Sequence, residues 1–164
     1  MRSTGFAFSI GLIFFILTNT ASHEDRSGAQ VVGVFVATTP CNQGTKPVPG
    51  IPVNTDAESI KWHLTLYQDD TKKTPTTFSL QCLYKSPGSV GGNNKVELDG
   101  HWSISKGIAS DPNAIVYELN DNKSNKAILF LKLNDSLLHL LDGDRRLMIG
   151  TAGWSFTLNR IGNR

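Results

Sequence analysis

Apolar and polar side chains alternate with a period of two through most of this chain, the spacing of strands with one buried face. In residues 58–68, Ile60, Trp62, Leu64 and Leu66 stand against Lys61, His63 and Thr65. Residues 76–85 repeat the pattern, with Phe78, Leu80, Cys82 and Tyr84 against Thr77, Ser79 and Gln81. Residues 96–105 set Val96, Leu98, Gly100, Trp102 and Ile104 against Glu97, Asp99, His101 and Ser103. Five more segments complete the set. Residues 30–38 are rich in valine, which suits a pleated surface, and residues 114–120 put Ile115, Tyr117 and Leu119 on one face. Residues 127–133 and 136–142 are nearly continuous apolar runs with only Asn134-Asp135 between them, which predicts a tight hairpin. Residues 154–160 turn Trp154, Phe156 and Leu158 one way.

The connections carry turn chemistry. Pro87, Gly88, Gly91, Gly92 and Asn93-Asn94 break the chain after the third strand, and residues 120–125 are polar. The longest link, residues 41–57, contains Pro47, Pro49, Gly50 and Pro52 and is the first choice for a functional surface, because it would cap one end of the fold. About eight strands with mostly hairpin-length links predict an all-β fold, an eight-stranded antiparallel up-and-down barrel spanning residues 30–164. A β-sandwich, the competing architecture, needs longer crossing links. Trp62, Phe78, Tyr84, Trp102, Tyr117, Trp154 and Phe156 share the apolar parity of their strands and are expected to fill the interior or to line a ligand cavity. Ile128 and Phe130 are expected outside, as a contact patch or beneath the N-terminal segment.

The first residues set the compartment. Arg2 precedes an apolar run over residues 6–17, and Thr20-Ala21-Ser22 follow, the order of a secretory signal over residues 1–22. Residues 23–29 are expected to form a flexible lead-in. The expectation is export to the periplasm or beyond, with no lipid anchor, because no cysteine ends the apolar run. No transmembrane span is expected after the signal is removed. Sixteen basic and 14 acidic residues, a net charge of +2, do not form the basic stripe of a nucleic-acid binder. In an oxidising compartment Cys41 and Cys82 could close a disulfide; over a loop of about 40 residues it would contribute roughly 3–4 kcal/mol. Two separate buried thiols fit the sequence as well.

These residues resemble a family. Val31-Val32-Gly33-Val34-Phe35-Val36-Ala37-Thr38-Thr39-Pro40-Cys41 resembles the opening strand of the N-terminal domain of NlpE-type envelope lipoproteins, which ends in Pro-Cys. Ile60-Lys61-Trp62-His63-Leu64-Thr65-Leu66 and Gly100-His101-Trp102 match its next motifs in order. The closing stretch Leu138-His139-Leu140-Leu141-Asp142, Leu147-Met148 and Phe156-Thr157-Leu158-Asn159-Arg160 is also similar to versions of the family. The resemblance implies a lipocalin-like (calycin-like) barrel in the bacterial envelope. It further implies a role in copper tolerance or envelope-stress sensing through a protein partner. Two departures stand out. The family's Cys-x-x-Cys pair is here Cys41-Asn42-Gln43-Gly44, and the acceptor cysteine for lipid is missing near residue 20.

Copper prefers converging thiolates, thioethers or imidazoles. The supply here is Cys41, Cys82, His23, His63, His101, His139 and Met148, with no two at a ligand spacing. Cys41 and His23 are the residues to which a copper site would be assigned, His23 together with a freed N-terminal amine; otherwise no cofactor is expected. Neither a Gly-x-Ser-x-Gly elbow nor a His-Glu-x-x-His pair is present, and no enzymatic activity is expected. The sequence points to a monomeric binding protein whose partner is an envelope protein or, alternatively, a small apolar ligand in the barrel mouth.

Overall fold

The computed structural model describes residues 28–41, 48–52, 54–85 and 93–162. The expected signal segment, His23 and most of the flexible lead-in lie outside the described residues. Within them the chain is all β, without a helix. Eight strands follow in order: β1 (Ala29–Pro40), β2 (Ser59–Asp69), β3 (Pro75–Tyr84), β4 (Asn94–Ile108), β5 (Asp111–Asp121), β6 (Ile128–Asn134), β7 (Leu137–Leu140) and β8 (Thr157–Ile161). Each pairs antiparallel with its neighbour in sequence, and β8 returns to β1 through Val34–Ile161, Phe35–Arg160 and Val36–Asn159, so the barrel closes. Closure leaves no sheet edge along the paired spans.

The predicted alternation is the reason the barrel has an inside. Ile60, Trp62, Leu64 and Leu66 of β2, Phe78, Leu80 and Cys82 of β3, and Leu98 and Trp102 of β4 are all buried. Their registers keep them on one face: Trp62 lies opposite Cys82, Leu64 opposite Leu80, and Leu80 opposite Leu98. His63 and His101, of the opposite parity, are exposed. Side chains from all eight strands join one buried apolar cluster. Trp62 meets Phe130 edge-on with ring centroids 6.2 Å apart, and Trp102 leans on Tyr117 at 4.9 Å.

Gly100 is where β4 comes close to the backbone of β5. It pairs with Phe78 on one side and Asp121 on the other. A Cβ built there would lie 2.1 Å from the Asn120 carbonyl oxygen, so no other residue fits without moving the backbone. Turn chemistry also acts as the sequence predicts. The amide of Ser136 donates to Asn134 Oδ1 at 2.8 Å, closing the β6–β7 hairpin. Asp69 Oδ1 accepts from the amides of Thr71 (2.9 Å) and Lys72 (2.6 Å) after β2. Those amides, first that of Lys72, hold the Asp69 carboxyl below its usual range.

Two expectations about facing need correction. Ile128 and Phe130 point inward and are buried; it is Leu129 and Leu131 that face out. The near-continuous apolar run of β6 therefore reflects a strand covered on both faces. Trp154 is outside β8, which begins only at Thr157, and it sits half-buried in a tight turn bridged to Thr151. It does not belong to the interior cluster.

Candidate functional site

At one end of the barrel the chain itself turns inward. After β1 the amide of Cys41 donates to the Glu58 carbonyl at 3.2 Å, continuing the ladder one step past Pro40–Ser59. Val48, Ile51 and Ala57 then turn inward and are buried, in the same cluster as Ile60, Trp62 and Cys82. Gly50 brings the backbone against β4: a Cβ there would stand 3.3 Å from Val96, and its φ of +85 is one that glycine adopts without strain. Deeper in the same end the Trp62 indole N–H donates to Thr39 Oγ1 at 2.7 Å, so this buried polar atom has its partner. Val48, Ile51 and Ala57 thus add apolar side chains to this end of the interior, while Gly50, Pro52, Asn54 and Asp56 stay exposed. Val48 and Ile51, standing among prolines and a glycine, were not legible as core residues from periodicity.

Cys41 and Cys82 are both buried and remain separate thiols. Strand register keeps them apart. Cys82 is level with Trp62, whereas Cys41 is level with Glu58, four residues away along the adjoining strand. At about 3.3 Å per residue that offset alone is roughly 13 Å, beyond the roughly 7 Å that a disulfide tolerates between Cα atoms. Burial also pushes the Cys82 thiol up to about 12, so it is protonated at neutral pH.

The aromatic set is otherwise where the alternation puts it. Trp62, Phe78, Trp102, Tyr117 and Phe156 are buried, and Tyr84 packs half-buried against the same cluster. Among the described residues no three His, Cys, Asp or Glu side chains gather into a metal-binding group. His139 is engaged on both ring nitrogens, with Thr157 Oγ1 and the Met148 carbonyl, each at 2.9 Å.

On the outer face a cleft of about 710 Å³ runs along β3 and β4, lined by Thr77, Ser79, Glu97, Asp99, His101 and Asn122 among others. Its carboxylates are already engaged. Glu97 accepts from Lys95 at 2.6 Å and from Gln81 at 3.3 Å, bonds that hold its carboxyl below the usual range. Asp99 Oδ2 accepts from Asn122 at 3.0 Å.

A second apolar cluster lies outside the barrel, and sequence reasoning missed it. Val116, Leu131 and Leu141 are buried there, with Ile108, Ala114 and Leu129 packed around them. Val116 faces Leu131 across β5 and β6, and Leu141 donates its amide to the Leu129 carbonyl. The available signal was the double-faced apolar run of β6. Elsewhere the described surface exposes Ile149 at 90% and, less fully, Leu147, Ile104 and Ile115. Ile104 and Ile115 have inward parity but lie past the last β3–β4 pair, Thr77–His101, where the β4–β5 hairpin overruns the rim.

Fold and site together define a small closed antiparallel barrel with a buried apolar interior and a partly apolar surface. Comparison with protein-family models, with curated proteins and with solved structures returns no match to this chain.

Proposed function

We propose that this is an exported, non-enzymatic barrel of the bacterial envelope that acts by contact with a protein partner. The setting we assign is the copper tolerance or envelope-stress sensing of the NlpE-type lipoproteins whose N-terminal domain it resembles. One observation carries the choice of partner contact over ligand carriage: the interior positions are taken up by large side chains, with Phe78, Phe130, Leu64, Leu80 and Leu158 among those fully buried. A carrier barrel needs an apolar cavity of several hundred cubic ångströms in its mouth. Exposed Ile149 and Leu147 supply apolar contact area on the outside instead.

The test is site-specific photo-cross-linking in cells that export the protein. A cross-linker at Ile149 or Leu147 is expected to trap one discrete partner band in the envelope fraction, whereas one at Glu97 in the polar cleft is not. Equal, diffuse labelling from all three positions, or retention of the protein in the cytoplasm, would sink the reading. Copper is addressed separately by the intact mass of the mature protein after equilibration with Cu(I) and Cu(II). Partner contact needs no bound metal; a retained copper lost in Cys41→Ser or His23→Ala would replace it with direct metal handling.

A further inference from the structure

The outer cluster is roofed by two connections that are far apart in sequence. One is the tip of the β4–β5 hairpin, which brings Ile108 and Ala114; the other is the hairpin that follows β7, closed by the Leu141–Leu147 bridge. Among the described residues the hydrogen bonds joining these two connections all involve Arg145. Its Nη1 donates to the carbonyls of Lys106 and Gly107 at 3.0 Å each, and its own carbonyl accepts from the Ala109 amide at 3.3 Å. Its Nη2 pairs with Glu118 of β5, which also accepts from Ser105 of β4. The backbone at Arg145 is left-handed, φ +60, a conformation that a β-carbon disfavours.

We propose that the hairpin after β7 and the β4–β5 tip form one hinged cover, latched by Arg145, that opens as a unit while the barrel stays closed and so unmasks the apolar outer face of β5 and β6. The β5–β6 and β6–β7 ladders beneath the cover are made by their own backbone pairs, and Leu141, whose amide donates to the Leu129 carbonyl, is where the cover joins the wall. The apolar residues of the cover do not belong to the interior cluster, since Ile108, Ala114 and Leu141 pack in the separate outer one. A fork-shaped guanidinium in three simultaneous contacts is a latch that lysine cannot replace. Units of this kind exchange their amides by local opening rather than by global unfolding.

The experiment is amide hydrogen exchange read by mass spectrometry on the full exported chain. In the unsubstituted protein, residues 107–115 and 141–147 are expected to share one opening equilibrium, easier than that of β2 and β3. Two unrelated equilibria would overturn the proposal without reference to any variant. In Arg145→Ala both segments are expected to exchange on the order of tenfold faster together, with β2 and β3 unchanged and with increased fluorescence of anilinonaphthalene sulfonate. Acceleration of one segment alone, or of every segment equally, contradicts a common latch. Arg145→Gly separates side chain from backbone. It removes the strain as well as the guanidinium, so the latch account expects loosening, and slower or unchanged exchange would overturn it.

Discussion

The barrel interior and the cluster on its outer face are built from the same kinds of side chain, yet they close in different ways. Inside, each strand contributes one face, and the ring of eight hydrogen-bonded neighbours encloses what those faces carry. Outside, β5 and β6 contribute their second face, and two connections fold over to cover it. Loss of one interior contact therefore acts on a closed circuit, whereas loss of the Arg145 contacts acts on a cover. Cooperativity is expected to follow topology more than composition.

The largest expected effect lies inside. Trp62→Ala removes a 2%-exposed indole that packs on Phe130, and is expected to cost about 3–5 kcal/mol in a urea or guanidinium titration, lowering the stability of all strands together. A loss confined to β2 would break the contrast. Thr39→Val keeps the shape but strands the Trp62 N–H, for an expected cost of about 1–3 kcal/mol. The same titration checks it, and an unchanged midpoint would mean that this hydrogen bond does not help to hold this end of the barrel. Val116→Ala deletes two methyl groups from the outer cluster, worth about 1–2 kcal/mol. Its effect should appear as faster exchange in the cover before it appears in global unfolding.

The last effect is nil at neutral pH and appears only in alkali, as a pH dependence of stability. Burial pushes the Cys82 thiol up to about 12 in the fold, from an ordinary value of 9.0. Below pH 9 both folded and unfolded chains hold the proton, and the stability is fully present. Between pH 9 and about 12 the unfolded chain ionises first, so stability falls, by up to about 1.4 kcal/mol per pH unit. Subtracting the profile of Cys82→Ala isolates this slope; the absence of any difference would place the thiol in water.

Most of the barrel was legible because period-two alternation is a direct record of which face each strand buries. β2, β3 and β4 carry it cleanly, and turn residues such as Asn134 mark where the chain reverses. What was illegible depends on contacts that are distant in sequence. Ile128 and Phe130 could not be assigned a side from a run that is apolar on both faces. Val48 and Ile51 carry no period because an irregular link has none. Trp154 shares parity with Phe156 but is set aside by a turn that precedes β8. Cys41 and Cys82 looked joinable until register placed one four residues beyond the other. Arg145 was invisible: a lone arginine in a polar link acquires its role only when the β4–β5 tip folds over to meet it.

We propose that side chains occupy the interior and that contacts are made from the surface. Titration with cis-parinaric acid, followed by energy transfer from the buried Trp62 and Trp102, tests it most directly. The account predicts no saturable one-to-one complex, only weak transfer that rises linearly with the concentration of the acid. Saturable one-to-one binding with strong quenching of both tryptophans would mean that the barrel opens to hold a ligand, and the carrier reading would take its place.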